Sequence, residues 1–313
     1  MKIGWIGTGG MGASMAGHLQ QAGHELFVYN RTRAKADALL AAGATWCETP
    51  GDVARACEAL FTIVGYPHDV AGVYGLPGAE SQQDDAAASG DASHTIFGAI
   101  AAQQQDERRL HTVVDMTTSG PEIARQIAAR AGELDLQALD APVSGGDVGA
   151  REARLAIMVG GSSAESFARV RPLFELMGQK IAYMGPSGAG QSTKLANQTL
   201  FAGNMIGTCE ALRYAAKAGL DERAVIEVIG SGAAASWTIN QLGPRIAAED
   251  FAAGFYVEHF LKDMGLVLEE CERLEIRLPG LELVRSLYQQ LCEDDSANAR
   301  LGTQALIKAL RNA

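Results

Sequence analysis

Along the first half of the chain, short apolar runs rich in β-branched and aromatic residues alternate with stretches of helical periodicity. Such runs are typical of strands that are buried on both faces, and the helical stretches supply the crossover connections that parallel strands need. The predicted strands cover residues 2–6, 25–29, 60–64, 112–115, 137–141, 155–159 and 180–184. The pattern therefore predicts an α/β fold with a mainly parallel sheet covered by helices.

The character of the sequence changes after Gly185 and Pro186. From Gly190 onward the apolar residues follow only helical spacing, and no run is typical of a strand. Between residues 261 and 274, for example, they recur every three or four positions, which predicts an amphipathic helix. We expect two domains: an α/β domain over residues 1–186 and an all-helical domain over residues 187–313.

Residues 79–106 break the alternation. The stretch is rich in Ala, Gln, Asp, Ser and Gly, and Phe97 is its only aromatic residue. A composition this poor in large apolar side chains offers little to bury. We expect a surface insertion of the first domain here, with a short helix around residues 95–105 and no part in the chemistry.

Composition and charge restrict the partners. Of the 313 residues 47% are hydrophobic, which is enough for two cores, and the formal net charge of −11 would repel nucleic acids and anionic membranes. No stretch reaches the roughly 20 apolar residues that span a bilayer, and the first residues resemble a strand and not a leader. The five cysteines form no CxxC pair and the six histidines lack metal-ligand spacing. We expect a cytoplasmic protein without disulfides or a bound metal.

A glycine-rich loop of sequence GTGGMG occupies positions 7–12, directly after the first predicted strand and at the start of a helix. Its GxGxxG spacing suits a dinucleotide, since Gly7 allows a tight turn, Gly9 lets backbone amides approach the pyrophosphate and Gly12 lets the helix pack close to the sheet. The motif alone is weak evidence, and a purely structural glycine turn is the alternative. Its place between strand and helix favours a Rossmann-type, doubly wound domain whose cofactor contacts Gly7, Thr8, Gly9, Gly10, Met11 and Gly12.

The residues after the second predicted strand determine the expected cofactor. An NAD enzyme usually has Asp or Glu there to bind the ribose 2′-hydroxyl. This chain has Asn30, Arg31, Thr32 and Arg33 instead. A guanidinium can bind a 2′-phosphate through paired, charge-assisted hydrogen bonds, whereas an acid would repel it. We expect NADP to be preferred over NAD; the alternative is that the two arginines are ordinary surface charges.

Three further segments contain candidate binding groups. Residues 115–119 (DMTTS) end a predicted strand at the carboxyl edge of the sheet, where open α/β folds bind their ligands. Residues 140–146 (DAPVSGG) follow another strand and offer a hydroxyl and consecutive backbone amides, a suitable nest for a carboxylate. Residues 188–198 (GAGQSTKLANQ) begin the first long helix of the second domain.

Together these motifs resemble the β-hydroxyacid dehydrogenase family, which includes 3-hydroxyisobutyrate dehydrogenases, tartronate semialdehyde reductases and glyoxylate/succinic semialdehyde reductases. The resemblance covers nearly the whole chain in the family's order and also includes residues 64–67 (VGYP) and the pair Lys262-Asp263. It implies an NAD(P)-dependent oxidoreductase that interconverts a small 3-hydroxy acid, or a 2-hydroxy acid, and its semialdehyde or oxo acid by hydride transfer. It also implies a homodimer or homotetramer.

Hydride transfer to a carbonyl requires a proton donor within hydrogen-bond reach of the carbonyl oxygen. The chemistry and the resemblance both assign this role to Lys194, as acid in reduction and as base in oxidation. On a helix, Asn197 and Gln198 follow at three and four residues, so both flank Lys194 and can orient the amine or the substrate oxygen. The alternative is an exposed, solubilising lysine.

The resemblance also implies roles for the remaining motifs. Ser144, Gly145 and Gly146 would bind the substrate carboxylate, Thr118 would lie against the nicotinamide or the substrate, and Lys262 would close the site over the nicotinamide end. The alternatives are a plain β-turn for the first three, a helix N-cap for Thr118 and a solvated helix face for Lys262. Beyond the glycine loop, the residues expected around the cofactor are Asn30, Arg31, Thr32, Gly65, Tyr66, Pro67, Thr118 and Lys262.

The sequence departs from the family at two places. The family's catalytic helix usually has the pattern Lys-x-x-Asn-Asn, but here the second Asn is Gln198, so either Gln198 or Asn197 contacts the substrate. Residues 79–106 are longer than the family's connection, and we expect them outside the active site. Two other functions are an imine reductase of the same architecture and a non-catalytic dinucleotide-binding relative. Both typically lack the lysine that is present at position 194.

Overall fold

The computed structural model describes residues 1–77 and 91–311. They divide into two compact units, Met1–Lys194 and Leu195–Ala313. The first unit combines a sheet with helices and the second is helical, which confirms the predicted α/β fold followed by an all-α region. Within the described ranges, no helix has the length and apolar character that crossing a membrane would require.

Nine strands form the sheet of the first unit within the described residues: β1 Lys2–Ile6, β2 Glu25–Tyr29, β3 Thr45–Trp46, β4 Ala59–Thr62, β5 Thr112–Asp115, β6 Gln137–Asp140, β7 Val143–Ser144, β8 Leu155–Gly161 and β9 Gly178–Gly185. They follow the order β3-β2-β1-β4-β5-β6-β8-β7, with β9 paired to β8. Neighbours from β3 to β6 along this path are parallel, whereas β8 is antiparallel to β6 and β7. Because β2 and β4 flank β1 on opposite sides, the loop after β1 lies at a switch point, where open α/β sheets bind ligands.

Helices connect most of these strands: α1 Gly12–Gln21, α2 Asp37–Ala41, α3 Pro50–Ala56, α4 Pro67–Tyr74, α5 Ile96–Ala101, α6 Pro121–Glu133, α7 Gly146–Arg151 and α8 Ala164–Phe174. Proline is the first residue of α3, α4 and α6. Its fixed φ suits a helix start, and the N–H that it lacks would have no partner there. The sequence thus sets several of the points at which a helix begins after a strand.

The core of the first unit lies on both faces of the sheet. Leu60 and Phe61 are adjacent in β4 and fully buried, yet they belong to different hydrophobic clusters, because neighbouring side chains of a strand point to opposite faces. On one face Trp5 stacks on Phe61 with ring centroids 5.6 Å apart, and Phe174 meets Phe61 edge-on at 6.1 Å. A sheet buried on both sides explains why its central strands have continuous apolar sequences.

Parts of the first unit differ from the sequence expectation. The apolar pattern does not predict β3 and β7, because two residues are too few to show a period. Residues 78–90, which include the first half of the expected insertion, lie outside the described residues. In the second half a short helix is present, but α5 buries Ile96, Phe97 and Ile100 in the core, so this helix does not lie on the surface as expected.

The helices of the second part of the chain are α9 Ala189–Lys217, α10 Glu222–Ser231, α11 Trp237–Gln241, α12 Gly243–Ala247, α13 Val257–Arg273, α14 Pro279–Asp294 and α15 Leu306–Arg311. The first residues of α9, up to Lys194, belong to the first unit. In the core of the second unit, Phe260 of α13 packs against Phe201, Phe255 and Tyr288, with ring centroids 5.2, 5.7 and 5.4 Å away. Of the apolar stripe predicted on α13, Met264 and Cys271 are buried, while Leu274 is exposed.

Candidate active site

The four glycines of the loop after β1 fall into two classes. Gly7 has a φ of +97°, and a Cβ there would lie 2.0 Å from the carbonyl oxygen of Ile63. A Cβ on Gly12 would lie 2.0 Å from the carbonyl oxygen of Gly7, so both positions require glycine for the chain's own packing. A Cβ on Gly9 or Gly10 would meet no protein atom within 4 Å. Glycine at these two positions leaves the backbone open to close approach from outside the chain.

Thr8, between these glycines, connects the loop to the end of β2. Its backbone N–H donates to Oδ1 of Asn30 (2.9 Å), and Nδ2 of Asn30 donates to the carbonyl of Thr32 (2.9 Å). The Thr8 hydroxyl is buried and has no hydrogen-bond partner among the described residues. Because buried hydroxyls without partners are rare in proteins, this oxygen fits a site that is completed by a polar ligand. The open glycines and this hydroxyl together fit a dinucleotide phosphate.

Arg31 lies beside the start of α4. Its Nη1 is 3.5 Å from Oδ1 of Asp69, and the other carboxylate oxygen of Asp69 accepts the backbone N–H of Tyr66 (3.0 Å). The structure thereby brings Arg31 together with the predicted Gly65-Tyr66-Pro67 segment. The Arg31 side chain is 58% exposed. The sequence reasoning missed Asp69; its place three residues after Tyr66, with Pro67 between them, is a capping signal that could have indicated it.

Asp115, at the end of β5, organises the turn that follows. Its buried carboxylate accepts hydrogen bonds from the Thr62 hydroxyl (3.0 Å), the Thr117 backbone N–H (3.1 Å) and the Ser119 hydroxyl (2.6 Å). Burial raises the pKa of Asp115 to about 6, although these three hydrogen bonds act in the opposite direction. Asp115 is thus a buried anchor for residues 117 to 119.

The turn of residues 117 to 119 is also bound to the segment that follows β4. The Thr117 hydroxyl accepts the backbone N–H of Val64 (3.0 Å), which joins the turn to the segment that leads to Tyr66. Thr118 is half-buried between these anchored neighbours. The N-cap of α6 is Gly120, so Thr118 does not have the helix-capping role that was the alternative for it.

Asp140 and Gln191 fix the start of α9. The carboxylate of Asp140, at the end of β6, accepts the backbone N–H groups of Gly188 and Gln191, both at 2.8 Å. Burial raises the pKa of Asp140, and the backbone N–H groups oppose the shift. A Cβ on Gly190 would lie 2.3 Å from the carbonyl oxygen of Met158, so the helix start packs directly on the backbone of β8. A carboxylate beside a helix N-terminus is favourable, because the helix dipole is positive there.

Lys194 follows Gln191 by one turn of the helix and is only 7% exposed. It is therefore not the exposed, solubilising lysine that was the alternative. Ser144 ends β7, where it pairs with Ala156 of β8. Gly145 and Gly146 then adopt φ values of +137° and +63° and lead into α7, a backbone path that strongly favours glycine.

In the second unit, polar contacts link the side chains of the predicted residues Asn197, Gln198 and Lys262 through Asp263. Nδ2 of Asn197 donates to Oε1 of Gln198 (2.8 Å), and Nε2 of Gln198 donates to Oδ2 of Asp263 (2.6 Å). Nζ of Lys262 is 2.9 Å from Oδ1 of Asp263, and its side chain is only 13% exposed, so Lys262 does not lie on a solvated helix face. Gln198 and Asp263 are buried, whereas Asn197 is half-buried.

No group of three or more His, Cys, Asp or Glu residues within 1–77 and 91–311 is arranged to hold a metal ion. Within the first unit, the polar groups of the candidate residues instead include backbone N–H groups, hydroxyls and the amine of Lys194. This donor set suits an organic, anionic ligand.

Two family models divide the chain between them. Residues 2–185 match the NAD-binding domain of 6-phosphogluconate dehydrogenase, and residues 188–310 match the NAD-binding domain of NADP-dependent 3-hydroxyisobutyrate dehydrogenase. The chain belongs to the β-hydroxyacid dehydrogenase family. As a member of that family it is an NAD(P)-dependent oxidoreductase.

Individual relatives match this β-hydroxyacid dehydrogenase over nearly its full length. It is 45% identical to a probable 3-hydroxyisobutyrate dehydrogenase-like 1 protein of Arabidopsis thaliana, over 99% of this chain and 85% of that one. It is 36% identical to the 2-hydroxy-3-oxopropionate reductase of Escherichia coli, over 99% and 97% of the two chains. A 3-hydroxyisobutyrate dehydrogenase of Mycobacterium tuberculosis, solved with L-serine, superposes with a TM-score of 0.82 at 26% identity and covers 99% of both chains.

An imine reductase of a Pseudomonas species shares the fold but is more distant, with a TM-score of 0.59 and 17% identity over 99% of both chains. At this identity the likeness extends to the fold alone. It gives no support to imine reduction as the activity of this chain.

Proposed function

We propose that this β-hydroxyacid dehydrogenase prefers NADP and interconverts a small 3-hydroxy acid, or a 2-hydroxy acid, and its semialdehyde or oxo acid. The observation that carries the proposal is the buried Lys194, one helical turn after a helix start that Asp140 and Gln191 bind to the carboxyl edge of the sheet. The names of its relatives support the substrate class, since they include a 2-hydroxy-3-oxopropionate reductase and 3-hydroxyisobutyrate dehydrogenases.

In this proposal the loop at residues 7–12 binds the cofactor pyrophosphate, with Gly9 and Gly10 allowing close approach and the Thr8 hydroxyl donating to a phosphate oxygen. Arg31 binds the 2′-phosphate that distinguishes NADP, and Asn30 and Thr32 shape the turn around it. When bound, the nicotinamide supplies or accepts the hydride. The predicted cofactor contacts of Gly65, Tyr66, Pro67 and Lys262 stay predictions.

Lys194 moves the proton. In reduction its ammonium group donates a proton to the carbonyl oxygen as negative charge develops there, and in oxidation the neutral amine accepts the hydroxyl proton. Of the two amides that follow, we assign the contact with the substrate oxygen to Asn197. Both ends of the buried Gln198 amide are engaged, by Asn197 and by Asp263, whereas Asn197 is half-buried and only its Nδ2 donates, to Gln198. Ser144, Gly145 and Gly146 bind the substrate carboxylate through a hydroxyl and backbone N–H groups. Thr118 lies against the nicotinamide or the substrate.

The proposal is tested by mixing the protein with NADPH and a panel of short semialdehydes that includes glyoxylate, and by following the nicotinamide absorbance. Lys194→Ala should lower kcat by about 10²- to 10⁴-fold, the usual contribution of a general acid, while NADPH binds as before. Lys217→Ala, an exposed lysine at the other end of α9, is the matched control and should turn over normally. Near-normal turnover by Lys194→Ala on a good substrate would contradict the mechanism.

We propose a homo-oligomer, a dimer or a tetramer, on the basis of family resemblance, and light scattering of the purified protein tests it. The cytoplasmic location stays a prediction.

A further inference from the structure

Gln191 is fully buried, and its side chain binds three backbone groups of one turn. Oε1 accepts the N–H groups of Ser119 and Gly120, both at 3.1 Å, and Nε2 donates to the carbonyl of Thr117 at 2.7 Å. These partners are more than 70 residues away in sequence. One amide group thus binds two backbone N–H groups and one backbone carbonyl of the turn between β5 and α6.

This turn lies outside the regular hydrogen-bond ladders. β5 ends at Asp115 and α6 begins at Pro121. The N–H of Met116 still donates to the carbonyl of Thr62 in β4 (2.8 Å), but the N–H groups of Thr117, Ser119 and Gly120 donate to side chains. Buried backbone groups require partners, and here a side chain provides them. The turn contains Thr118, which we place against the nicotinamide or the substrate.

The main chain of Gln191 is itself held in place. Its own N–H donates to the Asp140 carboxylate at 2.8 Å, and the neighbouring Gly190 packs on the backbone of β8. Because the main chain of Gln191 is fixed, the hydrogen bonds of its side chain also fix the position of the turn. Lys194 is on the next turn of the same helix.

We infer that Gln191 is a positioning residue for the reaction proposed above: it sets the spacing between the turn that contains Thr118 and the helical turn that carries Lys194. The inference rests on the proposed function. Proton and hydride transfer require reacting groups within a few tenths of an ångström of their productive positions, and a displacement of about 1 Å can lower the rate about 10²-fold. Gln191 touches neither substrate nor cofactor in this assignment and acts only through the turn and the helix.

Two substitutions separate the contacts. Gln191→Leu has a similar volume and removes all three hydrogen bonds. Gln191→Glu keeps an acceptor for Ser119 and Gly120 but places a carboxylate oxygen opposite the Thr117 carbonyl. We expect kcat to fall by about 10²-fold in Gln191→Leu and by about 10-fold in Gln191→Glu, with the Kd for NADP changed by less than about threefold in both.

Hydrogen exchange followed by mass spectrometry provides a readout that is independent of turnover. The amides of Ser119 and Gly120 should exchange faster in Gln191→Leu than in the wild-type protein, and Gln191→Glu should retain most of their protection. Amides elsewhere in the chain should accelerate by much less, only to the extent that the variant loses global stability. A general loss of stability would instead accelerate exchange throughout the chain.

Two control variants distinguish positioning from lost stability. Ser192→Ala changes the adjacent, exposed residue of the same helical turn. Gln304→Leu removes another buried glutamine, whose Nε2 donates to the carbonyls of Asp250 and Ala252 in the second unit. Both controls should keep the wild-type kcat, and Gln304→Leu should lower the free energy of unfolding about as much as Gln191→Leu does.

A Gln191→Leu protein with kcat within threefold of wild type, or with unchanged exchange at residues 119 and 120, would overturn the inference. So would an equal loss of kcat in Gln304→Leu. If the wild-type protein reduces no semialdehyde, the proposed function fails, while the exchange measurement still decides whether Gln191 holds the turn.

Discussion

The side-chain amide of Gln198 donates to the carboxylate of Asp263 at 2.6 Å, and both residues are buried. The family usually has an asparagine at this place in the catalytic helix, and glutamine carries its amide one methylene further from the backbone. The bond engages Gln198 within the second unit, which is why we assign the substrate contact to Asn197. It also connects α9 to α13 through polar groups.

Shortening this side chain should lower stability. In Gln198→Asn the amide is withdrawn by one methylene from a buried carboxylate oxygen, so we expect the free energy of unfolding to fall by about 1–3 kcal/mol. Urea unfolding measures the change. Gln289→Asn makes the same substitution at an exposed site on α14 and should cost less than about 0.5 kcal/mol. Equal stabilities of the two variants would show that the contact contributes nothing.

The two classes of loop glycine predict opposite phenotypes. Gly7→Ala places a Cβ in the positive-φ region and against the Ile63 carbonyl, so it should cost several kcal/mol of stability, at least the roughly 1–3 kcal/mol of backbone strain. Gly9→Ala meets no protein atom within 4 Å and should leave the free energy of unfolding within about 0.5 kcal/mol of wild type. Its Kd for NADP should rise more than about tenfold, because close backbone approach is lost. Denaturant unfolding and fluorescence titration give both quantities, and wild-type NADP affinity in Gly9→Ala would contradict the cofactor assignment.

The Arg31–Asp69 pair should tune cofactor preference. Removing the guanidinium in Arg31→Ala should lower kcat/KM for NADPH by about tenfold or more and leave that for NADH nearly unchanged, since a charge-assisted hydrogen bond contributes about 1.5–3 kcal/mol. Asp69→Asn removes a carboxylate 3.5 Å from the guanidinium and should improve NADPH binding by about two- to fivefold, as expected for a partly exposed ion pair.

The control for this pair is Arg33→Ala. Arg33 lies over the Trp46 ring at 5.1 Å and 3.9 Å from Glu48, so it is engaged away from Arg31. Its replacement should leave the ratio of kcat/KM values for NADPH and NADH unchanged. If Arg33→Ala changed this ratio more than Arg31→Ala does, the assignment of the 2′-phosphate to Arg31 would be wrong.

Asp115 makes a defined contribution to the pH dependence of stability. Its pKa is raised to about 6 in the folded protein, so the folded state binds this proton more tightly than the unfolded state, whose carboxyl titrates near its ordinary value of 3.8. The stabilisation that this protonated carboxyl adds to the free energy of unfolding is therefore complete below pH 4, and it is lost as the pH rises through 6. Two pKa units correspond to about 3 kcal/mol.

Asp115→Asn should consequently cost more at pH 4 than at pH 7, by up to about 3 kcal/mol. Urea unfolding at the two pH values measures the difference. Asp106→Asn, an exposed aspartate of the same unit, should show the same small cost at both. If Asp115→Asn behaves like Asp106→Asn, the carboxyl does not titrate as described.

The sequence predicts the fold well where apolar patterns are long. The strands at residues 2–6, 25–29 and 112–115 have the predicted bounds, because each is an apolar run next to a turn signal. The two-residue strands β3 and β7 are too short to produce a pattern. The helix α5 was expected on the surface because the polar composition of residues 79–106 masks the few apolar residues that it buries.

The candidate site is predicted only in part. The glycine loop and Lys194 belong to local motifs, which a single sequence reveals. The partners of Gln191 and Asp140 are 48 to 74 residues away, and only the folded chain brings them together. Asp69 contacts Arg31 across 38 residues, so its effect on the predicted cofactor preference is invisible in the sequence. The roles of all these residues stay predictions until the variants are measured.

Residues 188–191 are held by hydrogen bonds and close backbone packing, which limits how the proposed active site can be redesigned. The main chain there is hydrogen-bonded to Asp140 and packed on the backbone of β8, which holds the start of the helix that carries Lys194 in place. A library that randomises positions 188–191 would return mostly misfolded clones. Broader substrate acceptance is more accessible through position 197, where the side chain is half-buried and its amide donates to one neighbouring side chain.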